Sequence, residues 1–256
     1  MLIPTGIDAP LYHRPYGTIG LIIANTLLFF MVDINLNNYE WWVLTYGSFS
    51  PVQWLTSLFA HANFFHLLGN MLFLTVFGLI VEGKVGNLFF LIIYLAIGLT
   101  ANSVEQLIMF GADGGSLGAS GAISGLMMVC MFWAPLNKIR FTFIFIYYPI
   151  TFHWTVWFAA LFYVAWDFYE ALFAGFAMST SVLHLMGAAS GIFPGWYFLK
   201  HGLVDCEGWD LLTILDRRRR GLGTAPIELN RAYREKYSDH ETKPNSATTA
   251  TFAHNP

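Results

Sequence analysis

Charged side chains are scarce in this chain: Asp, Glu, Lys and Arg make up 11% of its 256 residues, against 56% for the hydrophobic types. Soluble domains carry about 25% charge. Too little polar surface exists to cover a body in water, so the solvent that fits this composition is a lipid bilayer. The net charge of −3 is too small to name a partner. The one basic cluster, RRRR at 217–220, follows an apolar run and reads as a topology signal, so the footprint of a nucleic-acid binder is missing. Cysteine is nearly absent. Cys130 lies in an apolar run and Cys206 in the tail, which gives neither a disulfide framework nor a CxxC spacing. The opening residues, MLIPTGIDAPLYHRPYG, lack the pattern of a signal peptide and the Arg/Ser bias of a transit peptide. The first apolar run is therefore expected to remain as a span. Internal repeats are missing too, which counts against a repeat-built transporter.

Long apolar runs are what the chain has in quantity. A membrane helix needs about 20 of them in succession, and six segments qualify: 17–33, 63–81, 87–110, 118–135, 152–173 and 181–199. The expected fold is thus an all-α, polytopic membrane protein. Its parts are an N-terminal segment 1–16, a membrane domain 17–199, and a partly disordered tail 200–256 in which DCEGWDLLTILDRRRRG forms a short surface helix. The stretch FTFIFIYYPI, 141–150, is short and interrupted by Pro149, and reads as an interfacial lead-in to the fifth span.

Lysine and arginine orient the bundle. All thirteen lie before span one, between spans two and three, between four and five, or after six, and none falls in loops 34–62, 111–117 or 174–180. The positive-inside rule then makes both termini cytoplasmic and turns those three loops outward. The first outer loop is rich in Trp, Tyr and Phe, and is expected to lie in the membrane interface.

Polar groups inside spans are costly and mark function. His66 and Asn70 share a face in the outer half of span two, Ser120 stands at the outer start of span four, and His184 lies in the first turns of span six. Three helices thus bring acyl-transfer residues to one depth. Gly121 and Gly125 follow Ser120 on one small-residue face, and Gly187 and Gly191 follow His184 on another. Such faces let membrane helices approach closely, which would bring His184 to Ser120 as a general base. No acidic residue stands where it obviously orients this histidine, so the expected machinery is a Ser–His dyad and not a triad. His66, Asn70 and the Ser120 N–H are candidate oxyanion donors. Gly118 frees the backbone just before the serine.

The segments HANFFHLLGNM (61–71), GASG (118–121), HLMGAASG (184–191) and VEGKVG (81–86) resemble the signature segments of the rhomboid intramembrane serine proteases, in the family's order. The resemblance implies a six-helix rhomboid bundle, with Ser120 as nucleophile, His184 as base and His66 and Asn70 at the oxyanion site. It further implies transmembrane protein substrates, cut near the membrane surface after small residues, with the Gly-rich loop 111–118 as an edge for an extended substrate segment. Many members carry a Trp-Arg pair in the first outer loop. Here Trp42-Val43 and Gln53-Trp54 stand instead, which questions how that loop is anchored.

Several polar residues have plainer readings. Ser124, one turn deeper than Ser120, reads as packing. His61, five residues from His66, is expected to point elsewhere and to be structural, so no metal or cofactor is expected. Glu105, Asp167 and Glu170 read as interfacial carboxylates with access to water. The leading function is intramembrane proteolysis in a bacterial plasma membrane; the alternative is a rhomboid-like protein that binds membrane helices without cutting them.

Overall fold

The computed structural model describes residues 3–9, 12–32, 39–145, 148–173 and 180–222. It is mostly helical. Helices α1 (Tyr16–Met31), α2 (Tyr39–Trp42), α3 (Pro51–Thr56) and α4 (Phe64–Ile108) come first, with strand β1 (Ile3–Ile7) ahead of them and β2 (Leu44–Thr45) between α2 and α3. Strand β3 (Gly115–Ser116) and helix α5 (Ser120–Trp133) follow, then strands β4 (Lys138–Phe145) and β5 (Tyr148–Thr155), and finally α6 (Val156–Phe173), α7 (Thr180–Lys200) and α8 (Leu211–Arg219). Three of these, α4, α6 and α7, are long and apolar enough to cross a membrane, while α1 and α5 are shorter apolar helices.

The 45-residue α4 is two helices joined at Gly86, whose φ of 76° and ψ of 173° break the helical path. Each half, 64–85 and 87–108, is roughly 33 Å long at 1.5 Å per residue, close to the ~30 Å of a hydrocarbon core. The chain doubles back there, since Phe90 packs within 3.4 Å of the Cβ position of Gly78.

The joint is fixed by Glu82 of the VEGKVG segment. Its carboxylate, fully buried, accepts from the Gly17 N–H at 2.6 Å and from the Thr18 N–H and hydroxyl at 2.7 and 2.6 Å. It thereby satisfies the open amides at the start of α1, where the helix dipole favours negative charge. Glu82→Ala strands three buried donors, each costing about 1–3 kcal/mol. The variant is expected to unfold with a midpoint several degrees below the wild type in detergent, measured by thermal melting.

A sheet corrects the all-α expectation. β1, β4 and β5 form a three-stranded antiparallel sheet in that order, with Phe141 opposite both Pro4 and Phe152. Residues 141–145 and 148–150 therefore belong to paired strands, β5 runs on to Thr155, and helix begins only at Val156 and not at residue 152. The reason lies in the alternation of KIRFTF. Ile139 and Phe141 are completely buried while Lys138 and Arg140 point outward, a period of two. Pro149 is tolerated because β5 is an edge strand.

The sheet, the Gly86 joint, and the segment after α7 gather at one end of the bundle. Tyr12 links them, donating its N–H to Gly83 and its hydroxyl to Glu207. Every Lys and Arg among the described residues is carried by the segments at this end. The tail beyond 222 and the loop 174–179 lie outside the described residues. In the expected surface segment, α8 is formed, with Asp210 capping its first turn through the Thr213 N–H at 2.9 Å.

Candidate active site

At the opposite end, two helices meet backbone to backbone. A Cβ on Gly187 would sit 2.0 Å from the Gly121 carbonyl oxygen, and one on Gly191 would sit 2.1 Å from that of Gly125. Real Cβ atoms do not come so close, so only hydrogen fits between α5 and α7. The paired numbers rise together, and the two helices therefore run parallel with their N-termini at the same end. Ser120 is the first residue of α5, and His184 lies one turn before Gly187. Both line a cavity of about 310 Å³ that also receives His66, Asn70 and Asp167. Ser120 and His184 share this cavity without a direct hydrogen bond between them among the described residues. Such bonds commonly tighten only with substrate bound.

Gly118 organises the other wall. Its φ of 122° is a conformation L side chains rarely adopt, and a Cβ there would meet the His66 Nε2 at 2.8 Å and the Asn70 Nδ2 at 3.5 Å. The residue two before the serine is thus the point on which both side chains converge. Asn70 Nδ2 is buried and has no hydrogen-bond partner, an amide donor aimed at the cavity with nothing to bind. The His66 Nδ1 accepts from the Ala62 N–H at 3.4 Å, which leaves the proton on Nε2, the nitrogen beside Gly118. The α5 N-terminus adds uncapped backbone N–H groups, because Ala119 makes no side-chain cap.

His61 departs from expectation. Its ring meets that of His66 edge-on, centroids 5.1 Å apart. Residue 61 precedes the helix, which starts at Phe64, so helical-face arithmetic does not apply to it. Burial, with His66 beside it, pushes the His61 imidazole down to about 4. His61 therefore stays neutral and packs against the His66 ring. Among the described residues no cluster of three or more His, Cys, Asp or Glu is placed to hold a metal.

The reading of Asp167 is also corrected. Its Oδ1 lies 3.1 Å from the His184 Nδ1, with only 14% of the Asp167 side chain exposed. A carboxylate does face the histidine. One turn on, Glu170 accepts from the Ser181 hydroxyl and, at 2.9 Å, from the Trp166 indole N–H. The sequence held a signal for this: residues 167 and 170 on one helix match 181 and 184 on the next, both at i, i+3 spacing.

The long loop ahead of α4 is held without an arginine. Gln53, 4% exposed, donates to the Glu40 carbonyl at 2.6 Å and accepts from the Thr45 N–H and hydroxyl, both at 3.0 Å. Gln106 reaches up from α4 to the Thr45 and Ser48 carbonyls and accepts from the Trp54 indole. Below them, Asn102 bonds the Ser57 hydroxyl, and the Ser57 carbonyl holds the Gly118 N–H at 2.8 Å. The loop anchor and the glycine beside the serine therefore share one polar scaffold. β2 pairs with β3, Leu44 opposite Ser116. Gly115, Ser116 and Leu117 also line a second cavity, of about 470 Å³, which reaches Ser120 and His66.

The model of the Rhomboid domain family matches residues 48–201, which contain every residue lining the cavity shared by Ser120 and His184. Among curated proteins, the chain is 42% identical over 77 residues to "Rhomboid-like protein 11, chloroplastic" of Arabidopsis thaliana, covering 30% of this chain and 27% of that one. It is 28% identical over 186 residues to the human "Presenilin-associated rhomboid-like protein, mitochondrial", covering 70% and 46%. To the "Putative rhomboid protease YdcA" of Bacillus subtilis it is 32% identical over 100 residues, covering 39% and 45%. The chain thus spans between about a quarter and a half of the length of these relatives.

Proposed function

We propose that this chain, which belongs to the rhomboid family, is an intramembrane serine protease that hydrolyses peptide bonds in or near the transmembrane segments of membrane proteins. One observation carries the reading. A serine at a helix N-terminus, a histidine, and a buried amide donor without a partner line the same cavity. Each supplies a part of acyl transfer that the others lack.

In the mechanism, the Ser120 Oγ attacks the scissile carbonyl carbon while the His184 Nε2 takes the hydroxyl proton. The carbonyl oxygen, now an oxyanion, is received by Asn70 Nδ2, the His66 Nε2–H and the Ser120 N–H. One such donor is worth about 10²–10³ in rate. His184 returns the proton to the departing amine, leaving an acyl-serine, and water admitted to the cavity then hydrolyses it by the same steps in reverse. The free edge of β3 supports binding of the substrate as an extended segment, through backbone hydrogen bonds that tolerate varied side chains.

The membrane arrangement belongs to the same proposal. The chain crosses the bilayer six times, through α1, the two halves of α4, α5, α6 and α7, with an interfacial first outer loop. Both termini are cytoplasmic, because the basic residues collect at the end carrying the sheet, and the site opens at the outer face. A bacterial plasma membrane is its proposed residence, with the Bacillus subtilis relative as support.

A fluorophosphonate probe tests the chemistry directly. The folded protein in detergent is expected to be labelled on Ser120, with peptide mass spectrometry locating the adduct. Well-folded protein that resists labelling would favour a helix-binding role without catalysis.

A further inference from the structure

We propose that Asp167 is a positioning residue that holds His184 in the tautomer and orientation a general base requires, so that the site acts as Ser120–His184–Asp167. The inference rests on the protease reading for its kinetic consequence but not for its geometry. A carboxylate can only accept, so the contact from His184 Nδ1 to Asp167 Oδ1 at 3.1 Å fixes the imidazole proton on Nδ1. Nε2 is left with its lone pair free, on the ring that shares the cavity with Ser120.

Docking alone does not account for Asp167. The Glu170–Ser181 bond already ties α6 to α7 one turn away, and the Phe73 and Tyr163 rings meet edge-on at 5.4 Å to tie α6 to α4. A carboxylate set among those rings is expensive inside a membrane. His184 is its hydrogen-bond partner among the described residues, and a histidine that must carry a proton during the reaction is the group such a charge serves. The arrangement also has a mechanical consequence. α6 is the least buried of the three long apolar helices among the described residues, so the base is oriented only while this exposed helix is seated against α7.

The test uses the full chain in detergent or nanodiscs. Asp167→Asn is expected to lower kcat by about 10²–10⁴-fold, as loss of the orienting carboxylate does in serine proteases, with KM changed less than about threefold. Asp167→Glu is expected to recover part of that loss. Glu170→Gln, which disturbs only the neighbouring bond, is expected to cost less than about fivefold. ¹⁵N NMR of histidine-labelled protein supplies a readout independent of turnover. His184 should carry its proton on Nδ1 in the wild type and on Nε2 in Asp167→Asn. The proposal is overturned if Asp167→Asn cleaves within threefold of wild type, or if wild-type His184 is protonated on Nε2 when neutral. The wild-type spectrum decides the second point even where the variant fails to fold. Failure of the protease reading looks different: no labelling of Ser120, with the Asp167-dependent tautomer intact.

Discussion

Ser120→Ala and His184→Ala are each expected to lower cleavage of a single-span reporter in proteoliposomes by at least about 10⁴-fold, to the uncatalysed background. Residues that act on one proton transfer are grossly non-additive, so the double variant should be no slower than either single one. Ser120→Ala is the cleaner variant. The hydroxyl is half-buried and makes no hydrogen bond among the described residues, so its removal should change the thermal midpoint little. His184→Ala leaves Asp167 facing the cavity without its partner, and a lower midpoint is expected alongside the lost activity. Ser124 lines the same cavity one turn deeper, which makes it the alternative nucleophile. Ser124→Ala is expected to cleave within about threefold of wild type. Wild-type rates from both Ser120→Ala and His184→Ala would sink the assignment, and loss of activity only in Ser124→Ala would move the nucleophile by one turn.

What could be read from the chain alone was whatever a single helix states about itself. The i+4 spacing of His66 and Asn70 was legible as one face, as were the glycines beside Ser120 and His184. Their pairing across α5 and α7 followed from the need of two small faces to meet. Contacts between distant segments were not legible. β4 finds β1 about 130 residues away, so the alternation of KIRFTF was visible but its partner was not. Asp167 reaches His184 from another helix, and no periodicity of one element connects residues 167 and 184. The four-residue code is the matched i, i+3 spacing on the two helices, which has meaning only once they are known to be neighbours. The direction of His61 failed for a simpler reason, since helical register was extended past the first residue of the helix. The missing arginine of the loop ahead of α4 was a false alarm of a different kind. Gln53 offers both a donor and an acceptor, and it satisfies on both sides the backbone that a longer cation would satisfy on one.

The second large effect is expected from a single methyl group. In Gly187→Ala the added carbon would stand 2.0 Å from the Gly121 carbonyl oxygen, and both atoms belong to helix backbone that has no rotamer to change. Relief requires α5 and α7 to separate by about 1 Å. Overpacking of this kind costs about 1–3 kcal/mol and sometimes more, so the thermal midpoint should fall by several degrees. The loss of activity should be larger than the loss of fold. His184 lies one turn from Gly187 and Ser120 is adjacent to Gly121, so the separation is applied almost directly to the distance between Ser120 and His184. A misplacement of about 1 Å can cost about 10²-fold in rate. The expected result is a folded protein whose kcat has dropped about 10²-fold or more. Gly191→Ala, with its clash of 2.1 Å against Gly125, lies a further turn from the site and should lose comparable stability but less activity. Gly20→Ala is the control, because nothing lies within 4 Å of its Cβ position and alanine favours the helix by up to about 1 kcal/mol. Equal rates for Gly187→Ala and wild type would mean that the two helices are not held at this distance by their glycines. A graded loss from 187 to 191 would mean that the close approach of the helices is itself the device that brings base to nucleophile.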